Sequence, residues 1–140
     1  MVIMFRFRSI SASLLAAALL LAAPAHAFVA PNRLPVQPTG SDPTTFTVSY
    51  RGTANGDIDF WCAAGAYANS QLRASSTARI YRISPPPRRA GQGITFSMNP
   101  AGAAGSTGLA TIGGSSDGSM TVAAARQQCQ VSRQLSQTRR

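Results

Sequence analysis

The residues able to do chemistry are few, and their types limit what that chemistry can be. "DFWCAAGAYANSQ", residues 59–71, sets Cys62 in an alanine-rich segment that reads as a helix. A thiol there could be a nucleophile, a metal ligand or half of a disulfide. A nucleophilic cysteine needs a base within reach. The one histidine of the chain, His26, lies in an N-terminal segment with the marks of a secretory signal, so residues 28–140 lack the commonest base and metal ligand. Zinc needs about four ligands, commonly Cys and His, and only Cys62 and Cys129 are cysteines. Two cysteines in an exported chain permit one pairing, and the oxidising compartment favours it. The sequence therefore predicts a Cys62–Cys129 disulfide between two helices.

The other chemistry-bearing stretch is "SPPPRRAGQG", residues 84–93. Three prolines stiffen the chain as polyproline II. Arg88 and Arg89 follow, and guanidinium groups suit planar anions such as carboxylate, phosphate or sulfate. Arg79 and Arg82 stand on the preceding predicted strand. Three residues apart, they face opposite sides of a sheet, so at most one can join a patch with Arg88 and Arg89. The "GQG" here precedes a strand and lacks the Lys-Ser/Thr of a phosphate loop. Asp57 and Asp59 in "NGDID" are better read as helix caps than as calcium ligands, because a calcium loop of the EF-hand kind also needs a glutamate and the chain has none. "GGSSDGS", residues 113–119, has serines and Asp117 but no histidine to complete a triad. No cofactor or metal site is read from the sequence.

These groups need elements to position them. Residues 1–27 carry Arg6 and Arg8, a short apolar run and a small-x-small end at Ala25–Ala27, the pattern of a secretory signal peptide cleaved after Ala27. The run is short for a membrane span. What remains, residues 28–140, is one small domain of 113 residues with eleven arginines, four aspartates and a formal charge of +7. Such a charge attracts anionic surfaces, although all-arginine usage is also what a GC-rich genome produces.

Residues 28–43, with four prolines, read as an extended, partly mobile arm. In "TTFTVSYRG", Phe46, Val48 and Tyr50 alternate with polar residues, a half-buried strand. A helix is expected over residues 58–73, capped by Asp57 or Asp59, with Phe60, Trp61, Ala64, Tyr67, Ala68 and Leu72 on one arc. "TARIYRIS" (77–84) and "GITFSMN" (93–99) read as a hairpin with an enlarged loop. "GLATIG" (108–113) is a weak strand candidate. "SMTVAAARQQCQV" (119–131) reads as a second helix capped by Ser119. Residues 132–140 read as a polar, basic, frayed tail.

The expected fold is α+β, a small single domain over residues 44–131. It has a mainly antiparallel sheet of three or four strands, with two helices on one face cross-linked by one disulfide. The expected function is that of a periplasmic or secreted binding or accessory protein, not an enzyme. Through Arg88 and Arg89, with Arg82 or Arg79, it would recognise an acidic protein or an anionic envelope polymer or lipid. Nucleic acid is disfavoured, because no basic stripe is interleaved with aromatics. The alternatives are a histidine-free hydrolase using Asp or Tyr, and a structural exported protein without a discrete ligand.

Overall fold

The computed structural model describes residues 27–52, 56–110 and 115–139. The expected signal peptide lies outside these residues except for Ala27, and "GLATIG" lies partly outside them; its residues 108–110 are not strand. No helix among the described residues is long and apolar enough to cross a membrane.

The chain runs β1 (Phe28–Val29), β2 (Pro35–Thr39), β3 (Asp42–Val48), α1 (Asp57–Ser70), β4 (Arg79–Arg82), β5 (Ile94–Ser97), β6 (Ser119–Thr121) and α2 (Val122–Thr138). The strands form one antiparallel sheet in the order β1-β2-β3-β5-β4-β6. The α+β architecture and the β4–β5 hairpin are as expected, but the sheet has six strands rather than three or four.

Two of the extra strands come from the segment read as a mobile arm. Its prolines are compatible with a sheet because of where they sit. Pro35 opens β2, and Pro38 lies beside the register shift between Pro38 and Thr39. Both are places where a missing N–H costs no ladder bond. Ala30, Leu34 and Val36 from this segment are buried in the core. The third extra strand, β6, takes the residues assigned to the start of the second helix. Thr121, not Ser119, is the cap: its hydroxyl accepts from Ala124 N at 3.1 Å. That helix then continues through the supposed tail to Thr138.

One sheet face carries Val36, Phe46, Val48, Ile80, Ile94 and Phe96, all fully buried. Phe46 and Phe96 meet Tyr67 and Trp61 of α1, with ring centroids 4.5 and 4.8 Å apart respectively. The other face is a hydroxyl ladder. Thr47 lies 2.9 Å from Thr95, and Thr45 lies 3.2 Å from Ser97, oxygen to oxygen. Such cross-strand pairs suit a face turned to water.

Helix α1 starts at Gly56 as N-cap, and Asp59 in its first turn accepts the Gly56 N–H at 3.1 Å. Asp57 and Asp59 thus lie inside the helix rather than at its cap. Of the expected apolar arc, Phe60, Trp61, Ala64, Tyr67 and Ala68 are buried, while the helix ends at Ser70 rather than 73 and leaves Leu72 beyond it, partly buried against the core. Cys62, Ala63 and Gly65, off that arc, are buried too. Helix α1 is therefore covered on two sides, by the sheet and by α2, which makes most of its contacts with α1.

Small residues make that second contact possible. A Cβ on Gly65 would sit 2.7 Å from Arg126 N and 2.8 Å from Ala125 Cβ. Alanine at a helix interior normally gains about 1 kcal/mol over glycine. Here overpacking against α2 backbone, typically about 1–3 kcal/mol, outweighs the gain. Gly65→Ala is expected to destabilise the protein by about 1–2 kcal/mol, read as a lower denaturant midpoint at unchanged slope. An increase in stability would show that α1 and α2 separate easily.

Candidate functional site

Cys62 and Cys129 are joined, with Cα atoms 4.6 Å apart, as the two-cysteine reading required. The bond spans 67 residues and ties α1 to α2 one turn from the Gly65 contact. Cys62 is therefore a structural residue and not a thiol nucleophile.

The four arginines singled out by sequence do not form one patch. Arg82 is wholly buried, facing the helices. Its Nη1 donates to Asp57 Oδ2 at 2.6 Å and to the Thr107 carbonyl at 3.0 Å, and its Nε donates to the Ser84 carbonyl at 2.7 Å. Its Nη2 has no hydrogen-bond partner among the described residues. Trp61 Nε1 donates to the same Thr107 carbonyl at 2.9 Å. Arg82 thus fastens the loop after β5 to the start of α1. It cannot serve at a surface. Gly108, at φ +77°, lies so close over this pair that a Cβ would collide with both Arg82 Nη1 and Asp57 Oδ2.

Arg79 leaves the sheet on the other side. Its Nε donates to Ser119 Oγ at 2.8 Å, and its Nη2 stands 3.9 Å from Asp117. Hydroxyls of Ser115 and Ser119, then the Ser119 N–H and Arg79, hold the Asp117 carboxyl down to about 2 from an ordinary 3.8. A lowered carboxyl pKa stabilises the fold above its unfolded value, and that contribution is lost as pH falls. Between pH 4 and pH 2 the wild type should lose more thermal stability than Asp117→Asn. Parallel melting curves across that window would refute the assignment.

Arg88 is folded back on its own loop. Its guanidinium carbon lies 4.8 Å from the Phe60 ring centroid and 5.3 Å from that of Tyr50. Its Nη1 donates to the carbonyls of Gln92 at 2.9 Å and Arg89 at 3.2 Å. These contacts give Arg88 a structural task, closing the loop over an aromatic face. Arg89 is exposed.

A different set of arginines does converge. The turn after β1, the first turns of α1 and the last turns of α2 enclose a groove of about 620 Å³. Arg33 enters from the turn, and Arg133 and Arg139 from α2, with Cys62 and Cys129 also on its wall. The turn is firmly built. Arg33 adopts φ 69°, its N–H donates to the Ala30 carbonyl at 2.8 Å, and Asn32 Nδ2 donates to the Asp59 carbonyl of α1 at 2.6 Å. A non-glycine residue held in the left-handed region is uncommon. The acid of the groove, Asp59, has both oxygens engaged: Oδ1 by the Ser132 hydroxyl and Oδ2 by the Gly56 N–H. Arg33 and Arg133, set against one internally bonded carboxylate, leave the groove cationic. Its size is that of a ligand-binding cleft. The sequence reading missed it because Arg33 stood in the supposed arm, and Arg133 and Arg139 in the supposed tail.

No protein-family profile, curated protein or solved structure matches the chain. The functional reading therefore rests on the groove's own chemistry.

Proposed function

We propose that the chain is a small exported binding protein, not an enzyme, that recognises an acidic protein or an anionic envelope component. The observation that carries this reading is the convergence of Arg33, Arg133 and Arg139 on one cleft. Guanidinium groups bind carboxylates and phosphates through paired N–H donors, and a concave site strengthens such bonds by excluding water. The disulfide supports an oxidising compartment. The groove's carboxylate, Asp59, is held by the Ser132 hydroxyl and the Gly56 N–H, bonds that brace α1 against α2 and its own first turn. In this reading the Pro-rich loop is scaffold, and recognition moves from Arg88 and Arg89 to the helix end.

The test is capture of partners from an envelope extract by the oxidised protein at low and high salt. Arg33→Gln/Arg133→Gln is compared with Arg89→Gln. A discrete partner held by wild type and Arg89→Gln, and lost from the groove variant, is the expected result. Diffuse binding, equal in all three proteins and abolished by salt, would mean that the charge is a general surface property.

A further inference from the structure

The arginine groove does not end at Arg133. A second groove of about 690 Å³ runs between β1 and the two helices, and it shares Pro31, Cys129 and Arg133 with the first. Arg126 and Gln130 line it from α2, and Phe28 and Val29 from β1. Together the two form one channel along the outer helix.

Three features of this channel describe its occupant. The first is charge. Arg126 and Arg133 are seven residues apart on α2, so they stand about 10.5 Å apart along the axis. The second is apolar surface. The exposed large hydrophobic residues among those described are Val29, Val131 and Leu135; Val29 lines one groove and Leu135 the other. Scattered exposed aliphatics need no explanation, but two placed in a cationic channel offer anchor points. The third is shape. The channel is concave and runs beside β1, the edge strand of the sheet.

We infer that the occupant is an extended acidic segment of polypeptide lying along α2, with carboxylates at Arg126 and Arg133 and an apolar side chain against Leu135 or Val29. This rests on the proposal that the arginine groove is a recognition site, and it names the partner class. A segment in the polyproline II form advances about 3.1 Å per residue with three residues per turn, so acids three positions apart fall on one side of it, about 9.3 Å apart, and span the two arginines. A concave surface fits a single chain more closely than it fits a planar membrane, and a phosphate-bearing wall polymer has no aliphatic side chains to cover Leu135 and Val29. The Gln130 amide, between the two arginines, can bond the backbone of such a segment.

The experiment is fluorescence anisotropy with the oxidised protein and labelled twelve-residue peptides. One peptide carries Glu-x-x-Glu with an adjacent leucine. A second has the same composition with the two acids adjacent. Polyglutamate and phosphatidylglycerol vesicles are run beside them. The first peptide should bind at least fivefold more tightly than the second. Arg126→Gln and Arg133→Gln should each weaken it about tenfold. Leu135→Ser should weaken it several-fold, and Arg89→Gln should leave it unchanged. Circular dichroism of each variant confirms that these surface changes leave the fold intact. If vesicles or polyglutamate bind through Arg133 while the two peptides are equivalent and Leu135→Ser is silent, the peptide inference fails and anion recognition stands. If none of the four probes binds, both fail.

Discussion

Reduction of the Cys62–Cys129 bond should cost about 4 kcal/mol, the loss expected when a loop of 67 residues is no longer closed in the unfolded chain. For a domain of this size that shifts the thermal midpoint by on the order of 15 °C or more. Native-state packing adds to the effect. Cys62 is fully buried between α1 and α2, and Gly65 brings the two backbones together beside it. Replacing both cysteines by alanine should give a similar loss, because it removes the same covalent link. The check is a melt of oxidised, reduced and doubly substituted protein. A midpoint shift of only a few degrees would mean that helix packing alone holds α2. Loss of the bond should also weaken partner binding, since the arginine groove is walled by α2 on one side and by α1 and the Asn32–Arg33 turn on the other.

Asp57→Ala should be the most damaging substitution outside the disulfide, at about 3–5 kcal/mol. Arg82 has no exposure at all, and Asp57 is its one charged partner among the described residues. Removing the carboxylate strands a guanidinium in the core, where it already has an Nη2 without a partner among the described residues. Arg82→Met should cost less. It removes the buried charge as well as the pair, and leaves Asp57 with a side chain 20% exposed, where water can solvate it. The double substitution Asp57→Ala/Arg82→Met should therefore be less destabilising than Asp57→Ala alone. Urea unfolding of the three variants reads this directly. If the double variant is the least stable, the pair acts through packing and not through charge. Either single change should also loosen the loop around Thr107, which the Arg82 and Trp61 donors share.

How much of this was legible in sequence depended on how far apart the contributing residues lie. Cys62–Cys129 was readable because two cysteines leave one pairing. The β4–β5 hairpin was readable because alternation and a Pro-Gly connection are local signals. The alternating residues Phe46 and Val48, and the arc from Phe60 to Ala68, marked the core face of β3 and of α1. By contrast, β1 and β2 were hidden by Pro31, Pro35 and Pro38. Proline argues against a central strand, and only the register shows that Pro35 and Pro38 occupy tolerated places. The last turns of α2 looked like a tail because they are polar and carry arginine; they are helical because Ser132 bonds Asp59 and one face packs on α1. Arg82 looked like a surface residue because its partner lies 25 positions earlier. The candidate site was the least visible of all. Its arginines come from residue 33 and from residues 133 and 139, and nothing in the spacing of one segment announces the other.

Whether recognition lies in the arginine groove or in the Pro-rich loop is read by amide chemical-shift mapping during titration with the Glu-x-x-Glu peptide. The largest changes should fall on Asn32, Arg33 and residues 126–139, with residues 84–93 unmoved. Changes concentrated on Arg88, Arg89 and their neighbours, with the helix end silent, would contradict recognition by the groove.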